Sequence, residues 1–144
     1  MTIREQILSA LFVISQGVSG ITNSSITRER VRPVQEDECP ALDLSPTTES
    51  APQSIGTGAD KRNLEVEFKF NTAGSGAYAL ADSFVGELHR ELYADETLGG
   101  LATGIIPGPT EFARDDADQT IGRTTVKYTI IYTTRRSDIS AKAR

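Results

Sequence analysis

The length, composition and charge of the chain indicate one folded domain that does not bind nucleic acid tightly. Its 144 residues, 38% hydrophobic and 24% charged, suffice for one core and differ from the composition of disordered chains. The net charge of -5 and the single cysteine, Cys39, argue against a phosphate-binding surface and exclude an internal disulfide. The longest apolar stretches fall short of the roughly twenty residues that span a bilayer, so we predict a protein made in the cytoplasm with no membrane role.

The chain opens with the pattern of an amphipathic helix. Thr2 followed by Glu5 has the spacing of a capping box, and Gly17 and Gly20 mark the end of the helical pattern. The apolar residues that recur at helical spacing between them are Ile3, Ile7, Leu8, Leu11 and Ile14.

Two short strands are predicted next. In residues 26–34 three arginines alternate with other side chains, which favours an exposed or edge strand. Residues 39–44 are mostly apolar and include Pro40, which predicts a second short strand. The three alternating arginines are Arg28, Arg30 and Arg32.

Residues 45–62 change composition to Ser, Thr, Pro, Gly and isolated charges, which predicts a long exposed loop that is mobile in an isolated subunit. Loops of this length are uncommon in compact domains unless they are functional or disordered. A tolerated surface insertion is the alternative. If the loop is functional, the side chains predicted to contact a neighbouring protein are Ser45, Thr47, Glu49, Gln53, Ile55, Asp60, Lys61 and Arg62.

The middle of the chain pairs a strand with a helix. Leu64, Val66, Phe68 and Phe70 alternate with charged residues, which places the apolar side chains on one sheet face. After a glycine-containing turn at 71–76, an apolar stripe predicts a second helix that packs against this face. The stripe consists of Ala81, Phe84, Val85, Leu88 and Leu92.

The last third of the chain is predicted to be mostly strand. Residues 102–106 and 111–113 read as strand segments separated by a turn at 107–109, and residues 119–136 predict a final, central strand. Residues 137–144 predict a flexible, basic tail. The whole chain, 1–144, is therefore predicted to be a single α+β domain: a mixed, mainly antiparallel sheet with two principal helices packed on it.

No catalytic, metal or cofactor site is predicted. His89 is the sole histidine and lies among charged residues, where a solvated helix position is the simpler interpretation than a catalytic imidazole. The densest carboxylate cluster could hold a divalent cation or supply an acid/base pair. Because Asp is a favoured turn residue, we interpret this cluster as a solvated turn; it consists of Glu111, Asp115, Asp116 and Asp118.

This order of elements resembles the tail-terminator proteins of long-tailed phages, the minor tail protein U family. The resemblance covers residues 1–136, and its best local matches are residues 95–102, the Asp115-Asp116 pair, and the final strand with Tyr128, Ile130 and Tyr132. Two departures from the family pattern are the length and Pro/Gly content of residues 45–62 and an undistinctive early strand.

The resemblance implies a non-enzymatic virion protein that needs no cofactor and closes into a hexameric ring on the head-proximal end of the tail tube. Such a ring ends tube polymerisation, contacts the tail tube protein, and offers its other face to the head connector or a head-completion protein. DNA passes through the lumen without specific binding. From the net charge of -5 and from Asp115-Asp116 we expect this lumen to be acidic or neutral, without a continuous Arg or Lys belt.

A closed ring needs two unlike lateral surfaces, and an exposed sheet edge with complementary charges is one way to supply them. The candidate subunit interface therefore combines the basic residues Arg28, Arg30 and Arg32 with the acidic residues Glu111, Asp115, Asp116 and Asp118. Two alternatives stay open. One is another phage neck or head-completion protein, and the more remote one is a small metal-dependent hydrolase that uses Glu111, Asp115 and Asp116.

Overall fold

The structure is a computed structural model that describes residues 1–114 and 120–143. Within these residues it confirms the predicted α+β class, with a mixed seven-stranded sheet and two principal helices. The elements in chain order are α1 (Ile3–Ser15), β1 (Ile26–Arg28), β2 (Ala41–Glu49), β3 (Gln53–Ser54), β4 (Ala59–Ala73), α2 (Ala77–Ala94), β5 (Gly104–Arg114), β6 (Ile121–Arg135) and β7 (Asp138–Lys142).

The sheet is built around two long antiparallel strands. β4 and β6 each have 15 residues and pair along their whole length, from Ala59 opposite Arg135 to Ala73 opposite Ile121. The strand order is β1-β2-β4-β6-β5, with β3 beside β4 and β7 beside β6. β1 runs parallel to β2, and every other described pairing is antiparallel. The predicted central position of the last strand is confirmed.

The first helix begins as predicted. The Thr2 side chain accepts a hydrogen bond from the Glu5 backbone N–H at 3.1 Å, which satisfies one of the donors that a helix start leaves unpaired. The helix ends at Ser15, ahead of Gly17. Its apolar stripe enters the core, and the buried members are Ile3, Ile7, Leu8 and Leu11.

The predicted packing of the second helix on the alternating strand is confirmed. Leu64, Val66, Phe68 and Phe70 are at most 1% exposed, and the rings of Phe70 and Phe84 stack with centroids 6.4 Å apart. The helix residues that lie in the same core cluster are Ala81, Phe84, Leu88 and Leu92, with Val85 half-buried beside it.

Both helices cover the same face of the sheet, because the buried residues of α1 and α2 share one core cluster with Leu64 and Phe68. The alternate residues of β4 and β6, such as Glu65, Glu67 and Lys127, point to the opposite face. We call this polar side the open face. Within the described residues, neither helix has the length and apolar character needed to cross a membrane.

The prediction of a long loop at residues 45–62 is wrong, because most of these residues lie in strands. β2 extends through Glu49, β3 covers Gln53–Ser54, and β4 already begins at Ala59. Irregular backbone remains only at 50–52 and 55–58. Polar residues fit here because this part of the sheet is an edge, and Pro46 is tolerated where a bulge shifts the register between Pro46 and Thr48.

The ends of several other elements also differ from prediction. The arginine-rich strand predicted over 26–34 stops at Arg28, where Glu29 takes a left-handed conformation with φ of 52°. In place of two strand segments predicted at 102–106 and 111–113, the structure has one strand, β5, which begins only at Gly104 and has a register shift between Pro107 and Thr110 where a turn was predicted. The basic tail predicted to be flexible pairs with β6 as β7, since residues 138–142 resume strand hydrogen bonding.

Candidate assembly surfaces

Glu49, a predicted contact residue, is the centre of an internal polar cluster. Its carboxylate accepts hydrogen bonds from Arg4 Nη2 at 2.6 Å and from the Tyr132 hydroxyl, and Arg62 Nη1 lies 3.5 Å away. The Glu49 and Arg62 side chains are only 14% and 12% exposed. This cluster ties α1 to β2, β4 and β6. Glu49 and Arg62 are therefore structural side chains and are not available to a partner.

The electrostatics of this cluster follow from burial and pairing. Burial raises the pKa of Glu49, but the hydrogen bonds from Arg4 and Tyr132 outweigh that effect and leave the pKa below its usual value. Burial, followed by the neighbouring Glu49 carboxylate, raises the pKa of Tyr132 to about 12. Glu49 is thus held as an anion and Tyr132 as a neutral donor.

The turn at 55–58 is clamped by Arg136 rather than left free. The Arg136 guanidinium donates to Asp60 Oδ1 at 3.2 Å and to Ser54 Oγ at 2.6 Å. The Arg136 backbone N–H donates to the Gly58 carbonyl at 2.7 Å. These bonds link β3, the turn and the end of β6, and we call residues 53–60 the tip. Sequence analysis missed this role of Arg136, because the clamp joins residues far apart in the chain.

The other predicted contact residues divide into paired and exposed side chains. Ser45 donates to Asp43 Oδ2 at 3.1 Å, and Thr47 donates to Glu65 Oε1 at 2.7 Å. Lys61 lies half-buried on the open face. Gln53 is exposed, and Ile55 is 47% exposed, so these two residues of the tip are the ones best placed to contact a neighbouring protein.

The basic half of the predicted subunit interface is largely engaged within the chain. Arg28 pairs with Glu5 of α1 at 2.8 Å, and this bond lowers the pKa of Glu5. Arg30 and Arg32 share one carboxylate, that of Glu38, at 2.8 and 2.9 Å. Arg28 is consequently a brace between the helix and the sheet edge, whereas Arg32, with a side chain 71% exposed, faces solvent.

Of the four acidic residues predicted for that interface, only Glu111 lies in the part of the chain that the structure describes. Glu111 lies on β5, at the opposite sheet edge from β1, and its side chain is 65% exposed. Its carboxylate is 3.9 Å from Lys127 Nζ. The other three residues, Asp115, Asp116 and Asp118, lie outside the described residues.

The open face carries a cationic groove of about 500 Å³. It crosses the sheet where Asn71 of β4 pairs with Ala41 of β2 and with Arg123 of β6. Five separate stretches of the chain contribute its charged residues, which is why no sequence motif indicated it. The charged residues that line it are Arg30, Arg32, Asp43, Lys69, Arg114 and Arg123.

His89 lies beside a smaller cavity of about 290 Å³ between α2 and the β5–β6 pair. The residue is exposed, as predicted, yet its Nδ1 is 3.0 Å from the Tyr128 hydroxyl and its ring is 4.5 Å from that of Tyr93. Burial raises the pKa of Tyr128 to about 12, so this phenol is neutral at physiological pH. Over residues 1–114 and 120–143, no group of three or more His, Cys, Asp or Glu side chains is placed to hold a metal ion.

Comparison with known proteins gives a likeness of fold. No protein-family model matches the chain, and no curated protein matches its sequence. A chain in the solved structure "Virion of native gene transfer agent (GTA) particle" is similar, with a TM-score of 0.55 and 11% sequence identity. The similarity covers 87% of this chain and 92% of that one, so the two share a fold over nearly their whole lengths.

Proposed function

We propose that this chain is a structural protein of a phage-like particle and that it acts as a tail terminator. In this role it forms a hexameric ring on the head-proximal end of the tail tube, stops tube polymerisation, and presents the head-joining surface. The observation that carries the proposal is the fold shared with a virion chain of a gene transfer agent over 87% of the present chain. The resemblance of the element order to the minor tail protein U family supplies the more specific role.

The physical features of the fold suit an assembling subunit. A single sheet covered by helices on one side leaves a polar open face, and β5 leaves one long edge for lateral contact. The exposed Ile55 of the tip gives an apolar contact point. A ring requires unlike lateral surfaces that close by rotation, and the two sheet edges of this subunit differ in length and charge.

The proposed chemistry is non-covalent throughout. Among the described residues, His89 contacts two tyrosines, and burial raises the pKa of Tyr128 to about 12, which disfavours the phenolate that a nucleophilic tyrosine needs. The internal carboxylate Glu49 is already saturated by Arg4 and Tyr132. Binding energy therefore has to come from contacts between subunits and with neighbouring particle proteins.

Electron microscopy of assembled particles tests the proposal. Particles that carry a labelled copy of this chain should show the label as one ring at the tube end next to the head. Particles that lack the chain should have tails of irregular length that fail to join heads. A label along the tube, at the distal end or in the head would contradict the terminator role. A label at the portal side of the neck, with tails of normal length, would instead identify a head-completion protein.

A further inference from the structure

A single valine projects from the sheet edge at β1. The Val31 side chain is 98% exposed, the highest value among the large apolar side chains of the described residues. It lies in the bend after β1, where Glu29 has already taken the left-handed conformation. Val31 also lines the groove on the open face, so it lies on that side of the sheet edge.

One exposed valine is ordinary on a protein surface, but this one is held in a fixed position. Arg30 Nε donates to the Arg32 carbonyl at 2.7 Å, and Arg30 Nη2 donates to Glu38 Oε2 at 2.8 Å. The Arg30 backbone N–H donates to Asp43 Oδ1 at 3.0 Å. These bonds fix the backbone on both sides of Val31. A contact made by this side chain therefore costs little ordering entropy, because the bend is already organised.

An apolar cavity lies beside the opposite edge of the sheet. It is the cavity of about 290 Å³ between α2 and the β5–β6 pair, which we call the α2–β5 cavity; β5 and β1 are the two ends of the strand order. Its apolar walls are formed by Val85, Pro107, Val126 and Tyr128. Sites for small molecules usually enclose about 300–1,000 Å³, so this cavity suits a single side chain better than a free ligand.

Gly86 keeps the α2–β5 cavity open to the outside. It lies in the interior of α2 and lines the cavity, although glycine destabilises a helix interior relative to most other residues. A Cβ at Gly86 would have no atom within 4 Å, so packing within the chain does not require glycine here. The missing side chain instead leaves room for a group from outside the chain.

We propose that copies of this chain join edge to edge, with Val31 of one copy seated in the α2–β5 cavity of the next. The proposal rests on the proposed function and deepens it, because it assigns the lateral contact of the ring. Val31 lies on the open-face side of one sheet edge, and the cavity lies on the helix-covered side of the other edge. The contact therefore joins two unlike surfaces, and such a contact closes into a ring when the rotation per copy allows it.

The charges beside the two surfaces are complementary. Arg32 follows Val31 with 71% of its side chain exposed, and within the described residues only its Nη2 donates, to a Glu38 carboxylate that also serves Arg30. Asp82 lines the cavity, is exposed, and forms no ion pair in the described part of the chain. With Val31 seated, the remaining donors of Arg32 can reach Asp82 of the next copy. Because exposed ion pairs add little affinity, burial of Val31 supplies the binding energy and the ion pair fixes the orientation.

Two substitutions in the full chain test the apolar contact. Val31→Asp places a charge in the cavity, and Gly86→Leu fills it, so each should weaken self-association by roughly tenfold or more. Gly86→Leu should not lower the melting temperature, because leucine favours a helix more than glycine does. Val13→Asp, at a valine 66% exposed on α1, and Ser83→Leu, at an exposed position of α2 outside the cavity, are matched controls that should assemble like the unmodified chain.

An exchange of charges tests the orientation of the copies. Arg32→Asp and Asp82→Arg each place like charges at the contact, so each alone should weaken assembly. A chain that carries both substitutions again has opposite charges between neighbouring copies, and its assembly should return to within about threefold of the unmodified chain. A double variant as weak as the single variants would overturn the pairing of Arg32 with Asp82.

Native mass spectrometry and negative-stain images, alone and with purified tail tubes, measure assembly, and circular dichroism melting checks that each variant folds. Unimpaired assembly of Val31→Asp and of Gly86→Leu would overturn the proposed contact and leave the proposed function standing. An unmodified chain that stays monomeric even on tubes would overturn both. Variants that form rings normally but no longer bind tubes would overturn the contact between copies and assign the cavity to the tail tube protein.

Discussion

The Glu49 cluster should contribute more to the stability of the fold than most polar clusters do. We expect Glu49→Gln to remove the charge that pairs with Arg4 and Arg62 while it keeps the shape of the side chain. Arg4 is 39% exposed, so its loss of pairing costs little. Arg62 is only 12% exposed, and an unpaired buried charge is costly. With the weakened hydrogen bond from Tyr132, the substitution should cost about 2–3 kcal/mol.

Chemical and thermal unfolding measure this cost. A loss of 2–3 kcal/mol should lower the midpoint of thermal unfolding by about 5–10 °C in a domain of this size. Glu36→Gln is the matched control, because Glu36 is exposed and its removal should change stability by less than about 0.5 kcal/mol. If Glu49→Gln is as mild as the control, the cluster does not couple α1 to the sheet, and the interpretation of Glu49 as an internal brace is wrong.

Three further predictions concern the core, the pH dependence and the tip. Phe68→Ala should destabilise the fold by about 3–5 kcal/mol in urea unfolding, because Phe68 is fully buried; a cost below about 1 kcal/mol would contradict the strand register. The lowered pKa of Glu49 contributes stability that is lost as pH falls below about 4. The raised pKa of Tyr132 contributes stability that is lost as pH rises from about 10 to 12. Melting curves measured over a pH series would show both losses. Arg136→Ala should increase amide hydrogen exchange at 54–59 while exchange in the middle of β4 stays unchanged; uniform exchange across both segments would show that no separate clamp exists.

The sequence predicted the covered face of the sheet well because its physical signals are local. The alternation at Leu64, Val66, Phe68 and Phe70 leaves one sheet face apolar whatever surrounds it, and the stripe at Phe84 and Leu88 needs such a face. Both patterns bury side chains that have no other favourable location. The capping of α1 by Thr2 is likewise determined within a few residues.

The edges of the sheet were predicted poorly because their strands depend on distant partners. Residues 45–49 and 138–142 are polar, and neither segment indicates a strand by its own composition. Each becomes one because a long neighbour, β4 or β6, offers unpaired backbone groups beside it. Intrinsic strand preference depends strongly on such surroundings.

The candidate surfaces were likewise predicted only where their features depend on local sequence. The predicted contact residues Gln53 and Ile55 are exposed, whereas Glu49, Asp60 and Arg62 are held by Arg4, Tyr132 and Arg136 from elsewhere in the chain. Polar composition indicates a surface location but cannot distinguish a free side chain from one that is paired across the fold. The cationic groove could not be predicted for the same reason, since its charged residues come together only when the segment after β1 and strands β2, β4, β5 and β6 align.

Because Ile55 of the tip is exposed, its substitution can affect assembly without affecting folding. Ile55 is 47% exposed, so Ile55→Asp should leave the melting temperature of the isolated subunit nearly unchanged. If the tip contacts the tail tube, the same substitution places a desolvated charge in an apolar contact, and binding to the tube should fall at least tenfold. Co-sedimentation with purified tubes measures this, with Gln53→Asn as a mild control within the tip. Tube binding equal to that of the unmodified chain would exclude the tip from the contact, and a lowered melting temperature would show that Ile55 serves the fold instead.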